Sequence, residues 1–122
     1  MTARILVVED DLLNRMFYHE VLGACGHEVA MVGDGAAVMK EVARFKPDLI
    51  TMDIQLPHVS GLKLIGQLRR KAETREIPII AITAFVGREE EARVRAAGAS
   101  NYLSKPVTMD RLKGAVDAAL EG

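Results

Sequence analysis

The reading of the chain turns on Asp48-Leu49-Ile50-Thr51-Met52-Asp53-Ile54-Gln55-Leu56-Pro57. This short, largely apolar segment delivers one carboxylate, Asp53, at its end. Leu49, Ile50 and Met52 do not alternate with polar residues as a half-exposed strand requires. They suit a strand buried on both faces of a parallel sheet. Pro57 has no backbone N–H to donate and places a loop by that point. An aspartate at the carboxyl end of a parallel strand stands where open α/β sheets bind ligands. Taken singly, Asp53 would only cap the next turn; the company it keeps decides otherwise.

Upstream, Arg4-Ile5-Leu6-Val7-Val8 reads as a buried strand ending in Glu9-Asp10-Asp11. Asp11 is the N-cap of a helix over 12–24, with an apolar stripe of Leu13, Phe17 and Val21 widened by Met16. Gly26 suits its exit. Residues 28–32 form a weaker strand. Asp34 is a candidate cap for a helix over 36–45 that buries Val38 and Val42, with Met39 beside them, and Pro47 ends it. Downstream, a helix over 61–71 presents Leu62, Ile65 and Leu68. The fourth strand spans 77–82, with Pro78 near its start. A charged helix over 88–97 has few large apolar anchors, and its Arg88-Glu89-Glu90-Glu91 run reads as a solvated face. A strand over 101–103 and a helix over 109–120, with Leu112, Val116 and Leu120 at i+4 spacing, complete the chain.

Five strands alternating with five helices require crossover connections, and therefore a parallel sheet covered on both faces. The expected fold is an α/β three-layer (βα)5 sandwich with the flavodoxin-like strand order 2-1-3-4-5. The 122 residues accommodate one domain, and at 49% apolar they can build a core without metal or disulfide. A net charge of −1 gives no pull toward nucleic acid or membrane. Cys25 has no partner; it reads as a small buried helix residue in a protein of the reducing cytoplasm. No apolar run approaches membrane-spanning length, and Met1-Thr2-Ala3-Arg4 leads into a strand rather than a signal peptide. His19, His27 and His58 show no ligand spacing and read as solvated.

The expected order brings Glu9-Asp10, Asp53, Thr83-Ala84 and Lys105-Pro106 to one edge of the sheet. Carboxylates crowded together repel unless a cation neutralises them. Hard oxygens beside a phosphate suit Mg²⁺. A carboxylate can also act as a nucleophile toward phosphorus. Lys105 supplies a point charge for phosphate oxygen, while the Thr83 hydroxyl and the Ala84 N–H can donate to the remaining oxygens.

Five motifs occur in order: Val8-Glu9-Asp10, Met52-Asp53 with Pro57, Gly61, Ile82-Thr83-Ala84, and Tyr102 with Lys105-Pro106. Together they resemble the receiver domain of bacterial two-component response regulators over the whole chain. Asn14, Ile54-Gln55-Leu56-Pro57 and Thr83-Ala84-Phe85, with no output domain, are similar to DivK-type stand-alone members of that family. The resemblance implies that Asp53 accepts a phosphoryl group from a histidine kinase or a histidine phosphotransfer protein. It implies that Asp10, Asp53 and the Gln55 backbone carbonyl coordinate Mg²⁺, with Glu9 acting through water. Thr83 and Lys105 would contact the phosphate, the Tyr102 rotamer would follow Thr83, and Lys105–Pro106 would be cis. Gln55 and Phe85 would form the rim, where the Gln55 amide could orient water and Phe85 either shields the phosphoryl group or packs on the neighbouring helix. The output would be phosphorylation-dependent binding of a downstream protein in cell-cycle or polarity control, with no separate enzymatic substrate.

Three other roles compete. An aspartate-nucleophile phosphatase of the haloacid-dehalogenase type resembles Asp-x-Asp, but Gln55 stands where its acid would be. A flavodoxin-like FMN carrier would want a Ser/Thr/Gly-rich loop after the first strand, where Glu9-Asp10-Asp11 would repel an anion. A receiver cut from a hybrid kinase or a transcription factor keeps the same fold, although the lack of a basic patch argues against direct DNA binding.

Overall fold

The computed structural model describes residues 2–121; Met1, read above as leading into the first strand, and Gly122 lie outside the described residues. Five strands, β1 (Arg4–Val8), β2 (Glu28–Val32), β3 (Leu49–Asp53), β4 (Ile79–Thr83) and β5 (Asn101–Ser104), alternate with five helices. These are α1 (Leu12–Ala24), α2 (Val38–Phe45), α3 (Gly61–Arg70), α4 (Arg88–Ala97) and α5 (Met109–Glu121), with a 3₁₀ turn over Gly35–Ala37 ahead of α2. All strand pairs are parallel, in the order β2-β1-β3-β4-β5. This is the three-layer arrangement that the alternation requires.

The continuous apolar runs are explained by the layers. Leu6, Val8, Ile50, Met52, Ile79 and Ala81 face a core shared with α2, α3 and α4. Ile5, Val7, Leu49, Ile80 and Ile82 face the opposite core, shared with α1 and α5. A fully buried Leu or Ile stabilises by about 1.5–3 kcal/mol, so the central strands anchor both layers. Pro78 falls just before β4, not within it, because it has no N–H for the ladder; its carbonyl still accepts the Ile50 N–H at 3.0 Å. The strand runs on instead to Thr83, which it delivers to the carboxyl edge.

Several side-chain expectations are corrected. The α1 stripe holds only at Val21. Tyr18, Val21 and Leu22 are buried, whereas Leu13, Met16 and Phe17 are exposed, Leu13 at 75%. At 100° per residue α1 carries two apolar stripes, and the one holding Leu13 and Met16 points away from the sheet. In α3, Leu64 is buried and Leu62 is only half-buried. Cys25 is exposed, because it lies at the C-cap of α1 beyond its packed face. His27 is buried, and its Nδ1 accepts the Ala3 N–H at 3.1 Å, joining the chain ahead of β1 to that ahead of β2. Glu90, within the run taken as a solvated face, is also buried.

Local signals set the ends of these elements. Asp11 caps α1 by accepting the Asn14 N–H at 2.9 Å, as expected. Asp34 caps the 3₁₀ turn and Ser60 caps α3. Gly61 has a steric reason to be glycine. A Cβ there would stand 2.4 Å from the Asp53 carbonyl oxygen and 2.8 Å from Ile54 Cα. The missing side chain lets the start of α3 fold back onto the end of β3, with the Gly61 N–H donating to the Ile54 carbonyl at 3.0 Å.

Candidate functional site at the carboxyl edge of the sheet

Parallel pairing places the ends of β1, β3, β4 and β5 along one edge. Glu9 and Asp53 are almost fully buried there, and Asp10 is exposed at the mouth. One carboxylate oxygen from each of the three lies within 4.8 Å of the others. The Asp11 N–H donates to Glu9 Oε2 at 3.0 Å, and the Gln55 N–H donates to Asp53 Oδ1 at 3.1 Å. The remaining oxygens, Glu9 Oε1 and Asp53 Oδ2, are buried without a hydrogen-bond partner among the described residues. Each lies 3.3 Å from Lys105 Nζ, at ion-pair distance.

Burial first, and then the charge of Glu9, push the Asp53 carboxyl up to about 7 against the opposing pull of Lys105. Lys105 is itself raised: burial opposes its charge, but Asp53 and Glu9 outweigh that opposition. Tyr18 lies beneath the same cluster, and burial followed by the Glu9 charge raises its phenol. Lys105–Pro106 is cis, as expected, and the Lys105 N–H donates to the Thr83 carbonyl at 2.8 Å. A cleft of about 310 Å³ lined by Asn14, Tyr18, Lys105, Pro106 and Val107 opens beside the lysine.

The wall formed by the end of β4 carries contacts that the sequence pattern does not indicate. The Thr83 hydroxyl donates to Glu90 Oε2 at 2.7 Å and accepts from Gln55 Nε2 at 2.8 Å and from the Phe85 N–H at 3.1 Å. The Ala84 N–H donates to Gln55 Oε1 at 2.8 Å. The two donors assigned to phosphate are therefore engaged by side chains of this chain. Gln55 was read as a water-orienting rim residue and Glu90 as a surface charge; neither contact has a local signal, since Gln55 and Glu90 meet Thr83 from different elements. Phe85 is 58% exposed at the rim. Tyr102 is half-buried, and its hydroxyl donates to the Phe85 carbonyl at 3.3 Å.

The sequence model of the response regulator receiver domain matches residues 5–117 of this chain. The chain is a receiver domain of a response regulator. The polar-differentiation response regulator DivK of Brucella ovis is 40% identical over 111 residues, covering 91% of this chain and 90% of that one. Among solved structures, the receiver domain of the sensor histidine kinase PA1611 of Pseudomonas aeruginosa superposes with a TM-score of 0.90 at 29% identity, each chain fully covered. That structure has a magnesium ion coordinated in its active-site cleft. The BeF3-activated N-terminal receiver domain of RstA from Klebsiella pneumoniae gives a TM-score of 0.89 at 28% identity, with 98% of this chain and 99% of that one covered.

The acidic cluster of this receiver fits a hard divalent cation. Two buried oxygens lacking hydrogen bonds, a third carboxylate at the mouth and an Asp53 carboxyl held protonated toward neutral pH are what a cation would relieve. The receiver places Glu9, Asp10, Asp53, Thr83, Ala84 and Lys105 at a single edge, as the spacing of its motifs indicated.

Proposed function

We propose that Asp53 is the phosphoryl acceptor of a response regulator that signals by binding other proteins. The carrying observation is a buried carboxylate at the end of β3 with one oxygen free of hydrogen bonds and 3.3 Å from Lys105 Nζ. That oxygen attacks the phosphorus of a phosphohistidine. An O–P bond forms, the N–P bond breaks, and its electron pair returns to the imidazole. Lys105 holds a phosphoryl oxygen by charge, and Thr83 and Ala84 supply the remaining donors. Asp10, Asp53 and the Gln55 backbone carbonyl would hold Mg²⁺, with Glu9 contributing through water. When bound there, Mg²⁺ would supply positive charge to offset the crowded carboxylates and the phosphoryl oxygens. Transfer and hydrolysis at Asp53 are the protein's own chemistry; it has no separate substrate, and Gln55 leaves an aspartate-type phosphatase without its acid.

The donor is a sensor kinase or a histidine phosphotransfer protein. Its docking is supported by the exposed apolar group Leu12, Leu13, Met16 and Phe17 on the first turns of α1, next to Asp10 and Asp11. A patch of this kind beside a buried acceptor suits a protein donor that lays its own helix there. Likeness to the polar-differentiation regulator DivK over most of both chains supports a stand-alone regulator in polarity control, and we place it in the cytoplasm. A second reading, a receiver belonging to a hybrid kinase, is supported by the likeness to the PA1611 receiver. Among the described residues no helix is long and apolar enough to cross a membrane.

The test is incubation with a small-molecule phosphodonor and Mg²⁺, followed by intact mass. Wild type should gain one phosphoryl group and Asp53→Asn none. A stable acyl-phosphate on Asp53→Asn would remove Asp53 from the role.

A further inference from the structure

A hydroxyl has one hydrogen to donate and two lone pairs to fill. At Thr83 all three are used: the hydrogen goes to Glu90, and the lone pairs receive Gln55 Nε2 and the Phe85 N–H. Thr83 cannot donate to a phosphoryl oxygen while it donates to Glu90. Ala84 cannot donate while Gln55 Oε1 holds its N–H. Gln55 thus puts an amide oxygen on the donor that a phosphate oxygen would use, and Glu90 puts a carboxylate oxygen on the other.

Glu90 is unusual for a charge run. It is 5% exposed, and its second oxygen is held by Arg93 Nη1 at 2.8 Å. A buried carboxylate is costly unless partners satisfy it, and removing a partner costs more than the bond itself. The attachment of α4 leaves few alternatives. Its N-cap, Gly87, offers no side-chain hydrogen bond, and its buried residues are Glu90 and Val94. The Thr83–Glu90 bond is therefore one of the main ties between α4 and the site.

We propose that Glu90 and Gln55 form a latch that occupies the phosphate-binding donors in the unphosphorylated protein, and that phosphorylation releases α4 by taking Thr83 from Glu90. Both are positioning residues that act through Thr83 and Ala84. The inference rests on the reading of Asp53 as acceptor. Phosphoryl oxygens compete with Gln55 for Ala84 and with Glu90 for Thr83. Once Thr83 turns, the Glu90 carboxylate loses a partner in a dry position and moves toward water, carrying the start of α4 with it. Tyr102, bonded to the Phe85 carbonyl in the same loop, is drawn along. A hydrogen bond to a charged group biases such a two-state equilibrium on the order of ten- to a hundredfold.

The test uses beryllofluoride with saturating Mg²⁺ as the phosphoryl mimic. Its affinity is measured on wild type, Glu90→Ala, Gln55→Ala and Glu91→Ala, together with amide hydrogen exchange over 88–97 without the mimic. Glu90→Ala should bind the mimic on the order of tenfold more tightly. Its α4 exchange without mimic should rise toward that of mimic-bound wild type. Gln55→Ala should also bind more tightly, with α4 exchange unchanged. Glu91, half-exposed on the same helix and paired with Arg95 rather than with Thr83, should behave as wild type when replaced. If Glu90→Ala folds poorly, Glu90→Gln keeps the volume with a weaker acceptor and should shift both readouts in the same direction by less. Unchanged or weaker binding in the Glu90 variant that folds, while wild type binds the mimic, overturns the latch and leaves the acceptor reading standing. Failure of wild type to take up either mimic or phosphoryl group overturns both.

Discussion

Replacing Asp53 by Asn should make the metal-free protein more stable, and the gain should depend on pH. The carboxyl sits at about 7 in the folded protein against 3.8 for its ordinary value. The folded state therefore holds a proton that the unfolded chain has released between those two values, and stability falls as pH rises through that window. At roughly 1.4 kcal/mol for each pH unit, the full cost above pH 7 is about 4 kcal/mol. Asn removes the charge but also the attraction to Lys105, and Glu9 stays buried, so the net gain at pH 8 is set at about 2 kcal/mol. For a chain of 122 residues this corresponds to a rise in Tm of roughly 8 °C. Thermal unfolding of the two proteins without Mg²⁺, from pH 8 to pH 4, measures the difference directly. The gap should close steadily toward pH 4, where folded Asp53 keeps its proton and the unfolded chain, near its ordinary value of 3.8, has regained much of its own. A constant gap, or an Asn variant less stable than wild type at pH 8, refutes the claim that crowding and burial set the state of this carboxyl.

Mg²⁺ should raise the Tm of wild type, because it binds the folded acidic crevice and not the unfolded chain, and Asp10→Ala should blunt the response; equal responses in calorimetry would place the metal elsewhere. Phe85, exposed at the rim, should slow loss of the phosphoryl group by shielding it from water, so Phe85→Glu and Phe85→Ala should hydrolyse faster; unchanged rates by phosphate release would show that another group sets the lifetime. Gly61→Ala should destabilise by about 1–3 kcal/mol, because the new methyl meets the Asp53 carbonyl and Ile54 backbone rather than a movable side chain. The same variant should accept phosphoryl groups more slowly, which a time course by intact mass checks.

The layered fold was legible because it rests on signals each segment carries alone. Buried strands such as Leu49–Asp53 show continuous apolar runs, helices show their period and caps, and strict alternation leaves a parallel sheet. The convergence of Glu9, Asp10, Asp53, Thr83 and Lys105 follows from topology, since in a parallel sheet every strand ends on the same edge. No such rule tells which of two apolar stripes on α1 turns inward. Tyr18 and Leu22 pack under β1 and α5 while Leu13 and Met16 face out, and the choice depends on how the helix lies on the sheet. Nor does local sequence reveal that Glu90 is buried: its partner Thr83 lies seven residues back, across the turn between β4 and α4. The Gln55 amide meets Thr83 and Ala84 because β3 and β4 are neighbours with Asp53 paired to Ile82. Strands, helices and the acidic edge are properties of the sequence pattern. The partners of each hydroxyl, amide and carboxylate at that edge depend on packing between segments, and packing is settled only when the layers come together.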